Sequence, residues 1–250
     1  MTSDKPLVSI ITVVYNGFAT LEQTIKSVID QSYSNIEYII IDGGSTDGSI
    51  EIIKKYEDKL AIYISEPDKG LYDAMNKGIA HAKGLLIGLI NSDDWYEQNA
   101  VALVVESYNN NLVKKIFYGD KKCILSNNES FIRKANNNDF LIRYHGMILN
   151  HPTMFIHNEV YKKYKYNTSL SSLSDYQLVL SAYLEDKTCF QYIPALITNY
   201  RIGGISAKLS LFKSIKENYS ARRNAGMTIY QCFFGIMIRI SLEILRLFKR

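Results

Sequence analysis

The first ninety residues alternate short apolar runs with segments of helical spacing, and this alternation restricts the available folds more than any other feature of the chain. "LVSIITVVY" (7–15) is β-branched and apolar throughout, as a strand covered on both faces should be. In "TLEQTIKSVIDQ" (20–31), Leu21, Ile25, Val28 and Ile29 share one helical face. "IEYIIID" (36–42), "LAIYIS" (60–65) and "GLLIGLI" (84–90) read as strands, with helices at "DGSIEIIKKYED" (47–58) and "LYDAMNKGIAHA" (71–82) between them. Such alternation predicts a parallel, doubly wound α/β sheet with right-handed crossovers. Sheets of this kind bind ligands beyond the carboxyl ends of their strands. Asn16, Asp42, Glu66 and the pair Asp93–Asp94 each follow such an end, so one rim should gather them.

Past residue 112 the pattern is mixed. "KKIFYG" and "KKCIL" read as two strands around a turn at Gly119–Asp120, and "CFQYI" and "LITNYR" as two more. "DFLIRY" (139–144) reads as a short helix, "PTMFI" (152–156) as a strand and "SDYQLVLSAYLE" (174–185) as an amphipathic helix. Two helices follow from Leu209, the second over roughly residues 228–248. The expected organisation is one domain over residues 1–206, in halves 1–95 and 96–206, with a helical region at 207–250.

Composition narrows the chemistry. A formal net charge of +4 over 250 residues is far from a nucleic-acid-binding profile. Cys123, Cys189 and Cys232 are widely spaced and odd in number, which fits a reducing compartment without disulfides. No cationic stretch precedes the first apolar run, so the start does not read as a signal peptide and a cytoplasmic location is expected. No GxGxxG follows the first strand, and the chain has no Gly-Lys-Ser/Thr, no GxSxG and no metalloprotease spacing. The rim is acidic instead. In "LIGLINSDDW" a buried strand runs straight into two adjacent carboxylates, which repel unless a cation or a solvated turn offsets them. A turn leading into the helix near Glu97 is the plain reading. A diphosphate ligand would need a divalent ion there, Mn²⁺ or Mg²⁺, held by one or two carboxylates.

"VSIITVVYNG", "IIIDGGSTDGS", "SEPDKGLYDAMNKGIAHAKG" and "INSDDW", then "HPTMFI", "SLSDYQLVL" and "YRIGGIS", resemble in order and spacing an inverting nucleotide-sugar glycosyltransferase of family 2. The resemblance covers about residues 6–206 and points to the bacterial surface-polysaccharide type (O-antigen, capsule or colanic acid). It implies the GT-A fold, a Rossmann-like, mostly parallel sheet flanked by helices, with a UDP-sugar donor and Mn²⁺ or Mg²⁺ as cofactor. By the same resemblance Asp42 accepts from the uracil imide N–H, Val13 and Tyr15 line the base pocket, Asn16 shapes the turn and Asp68 lies near the base. Asn76 and Lys77 lie close enough to position the nucleotide, although a solvated Lys77 is an equal alternative; Asp47 reads as a helix cap. Asp94 and Asp93 are the metal candidates, with one of them free to bind a sugar hydroxyl; Asn91 stands where the family often has a further Asp. Asp175 matches the general base, with Ser174 in the place of a frequent preceding acid; a mere capping role for either is the alternative. His151 and Tyr176 are acceptor-side candidates. Arg201 is a diphosphate partner in the glycine-paired loop "RIGGIS" (201–206), for which a plain turn is the alternative.

In the tail, Gln231, Gly235, Arg239, Glu243, Arg246 and Arg250 form a narrow polar or small stripe on an otherwise apolar helix. Charges within the span argue against a membrane crossing and suit a helix lying in the membrane interface. Lys208, Lys213, Lys216, Arg222 and Arg223 could attract anionic headgroups, and a polyprenyl-diphosphate-linked saccharide acceptor would explain the location at the inner membrane face. Docking on the protein's own core or in a homodimer is the alternative. A sugar-nucleotide nucleotidyltransferase and a non-catalytic nucleotide-sugar-binding scaffold are the competing functions.

Overall fold

The computed structural model describes residues 5–127, 129–203 and 210–247. Strand β1 (Val8–Val14), helix α1 (Leu21–Ile29), β2 (Ile36–Asp42), α2 (Ser49–Lys54), β3 (Ile62–Ser65), α3 (Leu71–His81) and β4 (Leu86–Asn91) realise the expected alternation. Next come β5 (Trp95–Tyr96), α4 (Ala100–Asn110), β6 (Ile116–Ile124), β7 (Ser130–Arg133), α5 (Asp139–Tyr144), β8 (Phe155–His157) and α6 (Asn158–Lys163). Helix α7 (Ser174–Glu185), β9 (Phe190–Arg201), α8 (Leu211–Asn224) and α9 (Ile229–Leu247) complete the described elements.

The strands form one sheet in the order β3-β2-β1-β4-β8-β6-β9-β5, with β7 paired to β6. The β1, β2, β3 and β4 pairings are parallel, as the alternation dictates. Beyond β4 the sheet becomes mixed: β8 is antiparallel to both β4 and β6, β5 is antiparallel to β9, β7 is antiparallel to β6, and β6 runs parallel to β9. The doubly wound parallel expectation therefore holds for the first half only. Only β6 and β7 are joined by a short turn; the other antiparallel pairs bring together strands distant in sequence.

Successive side chains of β1 feed two cores. Val8, Ile10 and Val14 pack with α1, α2 and α4, whereas Ile11 and Val13 pack with the layer containing α3, α5, α6 and α7. Every residue of β1 is buried, as its unbroken apolar sequence requires. Ala221 of α8 and Cys232 of α9 belong to the second core, so the tail helices are integrated into the domain rather than appended to it.

The expected turn at Gly119–Asp120 is the interior of one continuous strand, β6. Gly119 marks a register shift against β9 between Tyr118 and Asp120. A Cβ at Gly119 would lie 2.6 Å from Ile197 Cγ1 and 2.9 Å from the Ala195 carbonyl oxygen, so the glycine allows close strand approach at a bulge. Pro194 falls within the corresponding irregular stretch of β9, which is likewise one strand rather than two. We expect Gly119→Val to destabilise the protein by about 1–3 kcal/mol through overpacking, read as a lower urea midpoint with an unchanged slope.

Candidate functional site

The carboxyl ends of β1 and β2 are tied together first. Asn16 adopts a left-handed backbone (φ 51°), donates its N–H to Ser45 Oγ at 2.8 Å and accepts from Thr46 N at 2.9 Å, so it shapes the turn as expected. Asp42 is fully buried; its carboxylate accepts from Gly44 N (3.1 Å), Ser45 N (3.1 Å), Ser65 Oγ (2.6 Å) and the Ser45 hydroxyl. Beside it, Gly43 leaves room for the Asp68 carboxylate, which a Cβ would strike, and for the Tyr15 ring, whose Cδ2 would lie 3.4 Å away. Asp68 accepts from Gly70 N at 2.7 Å through Oδ1. Tyr15 is 66% exposed, so the open wall of this hollow consists of Tyr15 and Asp68. Asp47 accepts from Ser49 N (3.1 Å), Ser49 Oγ (2.6 Å) and Phe18 N (2.9 Å), linking the head of α2 to the β1 loop.

The acidic loop after β4 carries an unbalanced charge. Asp94 is fully buried, and its Oδ1 accepts from the Arg201 backbone N–H at 3.0 Å. Its Oδ2 is buried without a hydrogen-bond partner, and so is Asn91 Oδ1. Burial, then the neighbouring Asp93 charge, raises Asp94 well above the ordinary carboxylate range; burial also raises Asp93. Neither Asp caps the following helix, whose N-cap is Asn99. Among the described residues no group of three or more His, Cys, Asp or Glu side chains could hold a metal alone. Two orphaned oxygens beside a second carboxylate nonetheless fit a hard, oxygen-seeking ion such as Mn²⁺ or Mg²⁺ whose remaining ligands come from a phosphate. Asn91 thus joins Asp93 and Asp94 as a candidate ligand that the sequence pattern had discounted.

On the opposite side, Asp175 lies in the first turn of α7 and is half-buried. Its Oδ1 accepts from Tyr72 Oη at 3.2 Å and from Tyr176 N at 2.8 Å; among the described residues Oδ2 has no hydrogen bond. The helix's N-cap is Leu173 and no side chain caps it, so neither Ser174 nor Asp175 fills the capping role. Tyr72 stacks on Tyr166 at 5.5 Å, and Tyr166 Oη meets His151 Nε2 at 2.8 Å, forming a wall beside the carboxylate. Burial lowers the His151 pKa and Asp175 opposes that shift, which keeps the ring within the field of the base.

Tyr200 lies within electrostatic range of both carboxylate groups. Burial first, then the charges of Asp94, Asp93 and Asp175, push its hydroxyl up to about 12. Lys121 lies against the Tyr200 ring; burial lowers its pKa, while Asp94 and Asp175 are among the charges that raise it. Sequence reading missed both residues. The signal for Lys121 was a lysine inside a strand, masked by the turn expected next to it.

Several expected site residues are engaged elsewhere. Val13, expected to line the base pocket, lies in the core and is 4% exposed. Asn76 is locked at both ends to Tyr166, donating to its carbonyl at 2.8 Å and accepting from its N–H at 3.0 Å, so its amide joins α3 to the base side. Lys77 pairs with Glu66 at 2.7 Å. Tyr176 is buried, and its hydroxyl donates to the carbonyls of Ile142 (2.8 Å) and Arg143 (2.9 Å), away from an acceptor. The Arg201 guanidinium bonds the Asp93 carbonyl and Gln23 Oε1 (2.6 Å) and lies 4.5 Å from the Trp95 ring centroid, so it braces the acidic loop. Half of the "RIGGIS" loop, residues 204–206, and Lys208 lie outside the described residues.

Residues 9–165 match the family model described as glycosyl transferase family 2. An uncharacterized Haemophilus influenzae glycosyltransferase is 30% identical over 215 residues, 84% of this chain and 85% of its own length. Two uncharacterized Mycobacterium tuberculosis glycosyltransferases are 46% identical over 109 residues, 43% of this chain and 41% of theirs. An Escherichia coli chondroitin synthase is 26% identical over 225 residues, 86% of this chain but 32% of its own, so the chain spans less than half the length of several relatives. Among solved structures, Staphylococcus aureus TarS 1–349 in complex with UDP-GlcNAc superposes with a TM-score of 0.71 at 15% identity, over 90% of this chain and 69% of that one, a likeness of fold. The chain belongs to glycosyl transferase family 2 and has the GT-A fold.

The raised Asp94 pKa has a sign that can be checked. The folded state holds the Asp94 proton more tightly than the unfolded chain, so this group's stabilising contribution is complete below the unfolded value of about 3.9 and is lost as pH rises through the raised folded value. At neutral pH without divalent ions, Asp94→Asn removes a buried charge and should raise Tm, with about 1 kcal/mol or more of added stability. A lower Tm under those conditions would show that the ionised carboxylate is already compensated within the protein.

Proposed function

We propose that the chain is an inverting glycosyltransferase that moves a sugar from a UDP-sugar to a hydroxyl of a lipid-linked saccharide during polysaccharide assembly. The observation that carries this reading is a pair of incomplete carboxylates: Asp94, buried with Oδ2 unpartnered among the described residues, and Asp175, held through Oδ1 by Tyr72 with Oδ2 unbonded among them. TarS, which shares the fold, has been solved with UDP-GlcNAc, and the name of the related chondroitin synthase supports polymer assembly as the process.

In this reading Tyr15 and Asp68 receive the base in the hollow beside Gly43, and the saturated Asp42 keeps the loop beneath them rigid. Asn91, Asp93 and Asp94 hold Mn²⁺ or Mg²⁺, which when bound neutralises charge on the leaving diphosphate. Asp175 takes the proton of the acceptor hydroxyl on Oδ2 as that oxygen attacks the anomeric carbon. Tyr72 meanwhile fixes Oδ1 and orients the carboxylate. His151, bonded to Tyr166, lies on the acceptor side of the base. Asp175→Asn should keep UDP affinity in calorimetry and lose about 10²–10⁴-fold in turnover; wild-type turnover in that variant would move the base elsewhere.

A second part of the proposal is contact with the cytoplasmic face of a membrane through α9, supported by an inversion of the usual helix pattern. The described part of the small, polar stripe faces inward: Gly235 is buried, where a Cβ would lie 2.8 Å from Arg222 Nε, and Arg239 reaches Ser214 Oγ at 3.3 Å. Tyr230 (87% exposed), Phe233, Phe234 and Met237 face outward with Phe212 of α8, near the exposed cations Lys213, Lys216 and Arg223. Among the described residues no helix is long and apolar enough to cross a membrane, so the expected mode is interfacial. The double variant Phe233→Asp/Met237→Asp should stop sedimenting with anionic vesicles while still processing a water-soluble acceptor; undiminished sedimentation would exclude this face as the contact.

A further inference from the structure

Lys121 has an environment that the reaction described above does not use. It is 8% exposed, and among the described residues its ammonium makes no hydrogen bond and no ion pair within 4.0 Å. Among the other lysines that are partly buried, Lys77 pairs with Glu66 and Lys115 with Glu159. Lys121 has only the face of Tyr200, 4.0 Å from Nζ to the ring centroid. That contact offsets part of the cost of taking an ammonium out of water and provides no counter-charge. A buried cation left in this state awaits an anion.

Its place in the fold identifies the ligand to which that anion belongs. Lys121 is in register with Thr198 of β9 and Arg133 of β7, so the strand pairing fixes the root of the side chain. Tyr200, on whose ring the ammonium rests, directly precedes Arg201, whose backbone N–H bonds Asp94 Oδ1 at 3.0 Å, and the ammonium lies within electrostatic range of Asp94, Asp175 and His151. In the reading given above, Asp94 attends the diphosphate and Asp175 the attacking hydroxyl. A group lying between them is part of the donor, either its leaving phosphate or the sugar in transfer.

We propose that Lys121 is an anion seat for the donor: its ammonium receives an oxyanion of the nucleotide sugar in the space bounded by Asp94, Asp175 and Tyr200. This inference rests on the glycosyltransferase reading. Two groups offer that chemistry: the β-phosphate, common to every nucleoside diphosphate donor, and the carboxylate of a uronic acid sugar.

The experiment is calorimetry on the full chain with Mn²⁺, comparing wild type and Lys121→Met against UDP, UDP-glucose and UDP-glucuronic acid. Losing one charge-assisted hydrogen bond should weaken binding by at least about tenfold. Equal weakening for all three ligands supports the inference and assigns the seat to the phosphate. Weakening confined to UDP-glucuronic acid also supports it and assigns the seat to the sugar carboxylate, which would make the enzyme selective for acidic donors. If Lys121→Met binds all three within about twofold of wild type, the inference is overturned and the glycosyltransferase reading stands. If the wild type binds none of them, both are overturned. Lys121→Gln, which keeps a polar end group, decides in the same way should the methionine variant fail to show a cooperative melt.

Discussion

The parallel pairing of β6 with β9 makes a single cleft from two dissimilar halves of the chain. The four parallel strands end in an acidic rim, and from their half Tyr72 of α3 reaches across to Asp175. Through β8 the sheet continues from β4 to β6, and β6 then holds β9 along most of its length. β9 ends at Arg201, whose backbone N–H and guanidinium both grip the acidic loop. β6 supplies Lys121 and β9 supplies Tyr200 to the same space. The bulge at Gly119 adjusts this pairing, so a glycine that contacts no ligand helps to set the geometry of the cleft.

The base side depends on a different element. Helix α8 places two buried charged groups on either side of Asp175 in the sequence. Glu217 accepts from Ser171 N and Ser172 N, each at 3.0 Å, and from the Ser171 hydroxyl. Arg222 is fully buried; it donates to the carbonyls of Arg143 (2.9 Å) and Tyr144 (2.8 Å) at the end of α5 and lies 5.4 Å from the ring centroid of Tyr176. Carbonyls at a helix carboxyl end are partly negative, so they suit a guanidinium that has no carboxylate partner. Residues 171–177 are thereby fixed from behind, and Asn224 adds a bond to Gln177 at 3.1 Å. The tail beyond the expected boundary at residue 206 thus bonds the segment that carries Asp175.

Legibility followed the range of the interactions involved. The first four strands, α7 and α5 could be read from periodicity because each is an amphipathic or fully apolar segment whose signal is local. The β6 and β9 strands were each read as two because Gly119 and Pro194 are punctuation in sequence and bulge residues in space. The rim residues were legible by position and less so by role. A sequence places Asn76 near the nucleotide but cannot show that its amide is committed to Tyr166, because that partner is 90 residues away. The same holds for Tyr176 and Arg201, whose polar groups are taken up by backbone carbonyls that no motif records. Lys121 and Glu217 lie outside the quoted family motifs, and Tyr72 and Tyr200 lie inside them without an assigned role; their significance arises from what the fold sets beside them.

Asp42 and Asp94 show how the same residue type at equivalent strand ends acquires opposite character. Both are fully buried, and an isolated buried carboxylate is costly in either place. Asp42 recovers its lost hydration from two backbone N–H groups and two serine hydroxyls, all in place before any ligand arrives. Asp94 has one backbone donor on Oδ1, nothing on Oδ2 and a second carboxylate next to it in sequence. The first arrangement is balanced by the protein's own donors. The second is incomplete by a positive charge, and Lys121 is near enough to oppose its field without forming an ion pair with it. Because that lysine is itself unpaired, the cleft contains an acid lacking a cation and a cation lacking an anion, held apart by the sheet. A metal–diphosphate unit carries both missing charges, and its arrival would satisfy the two sides together.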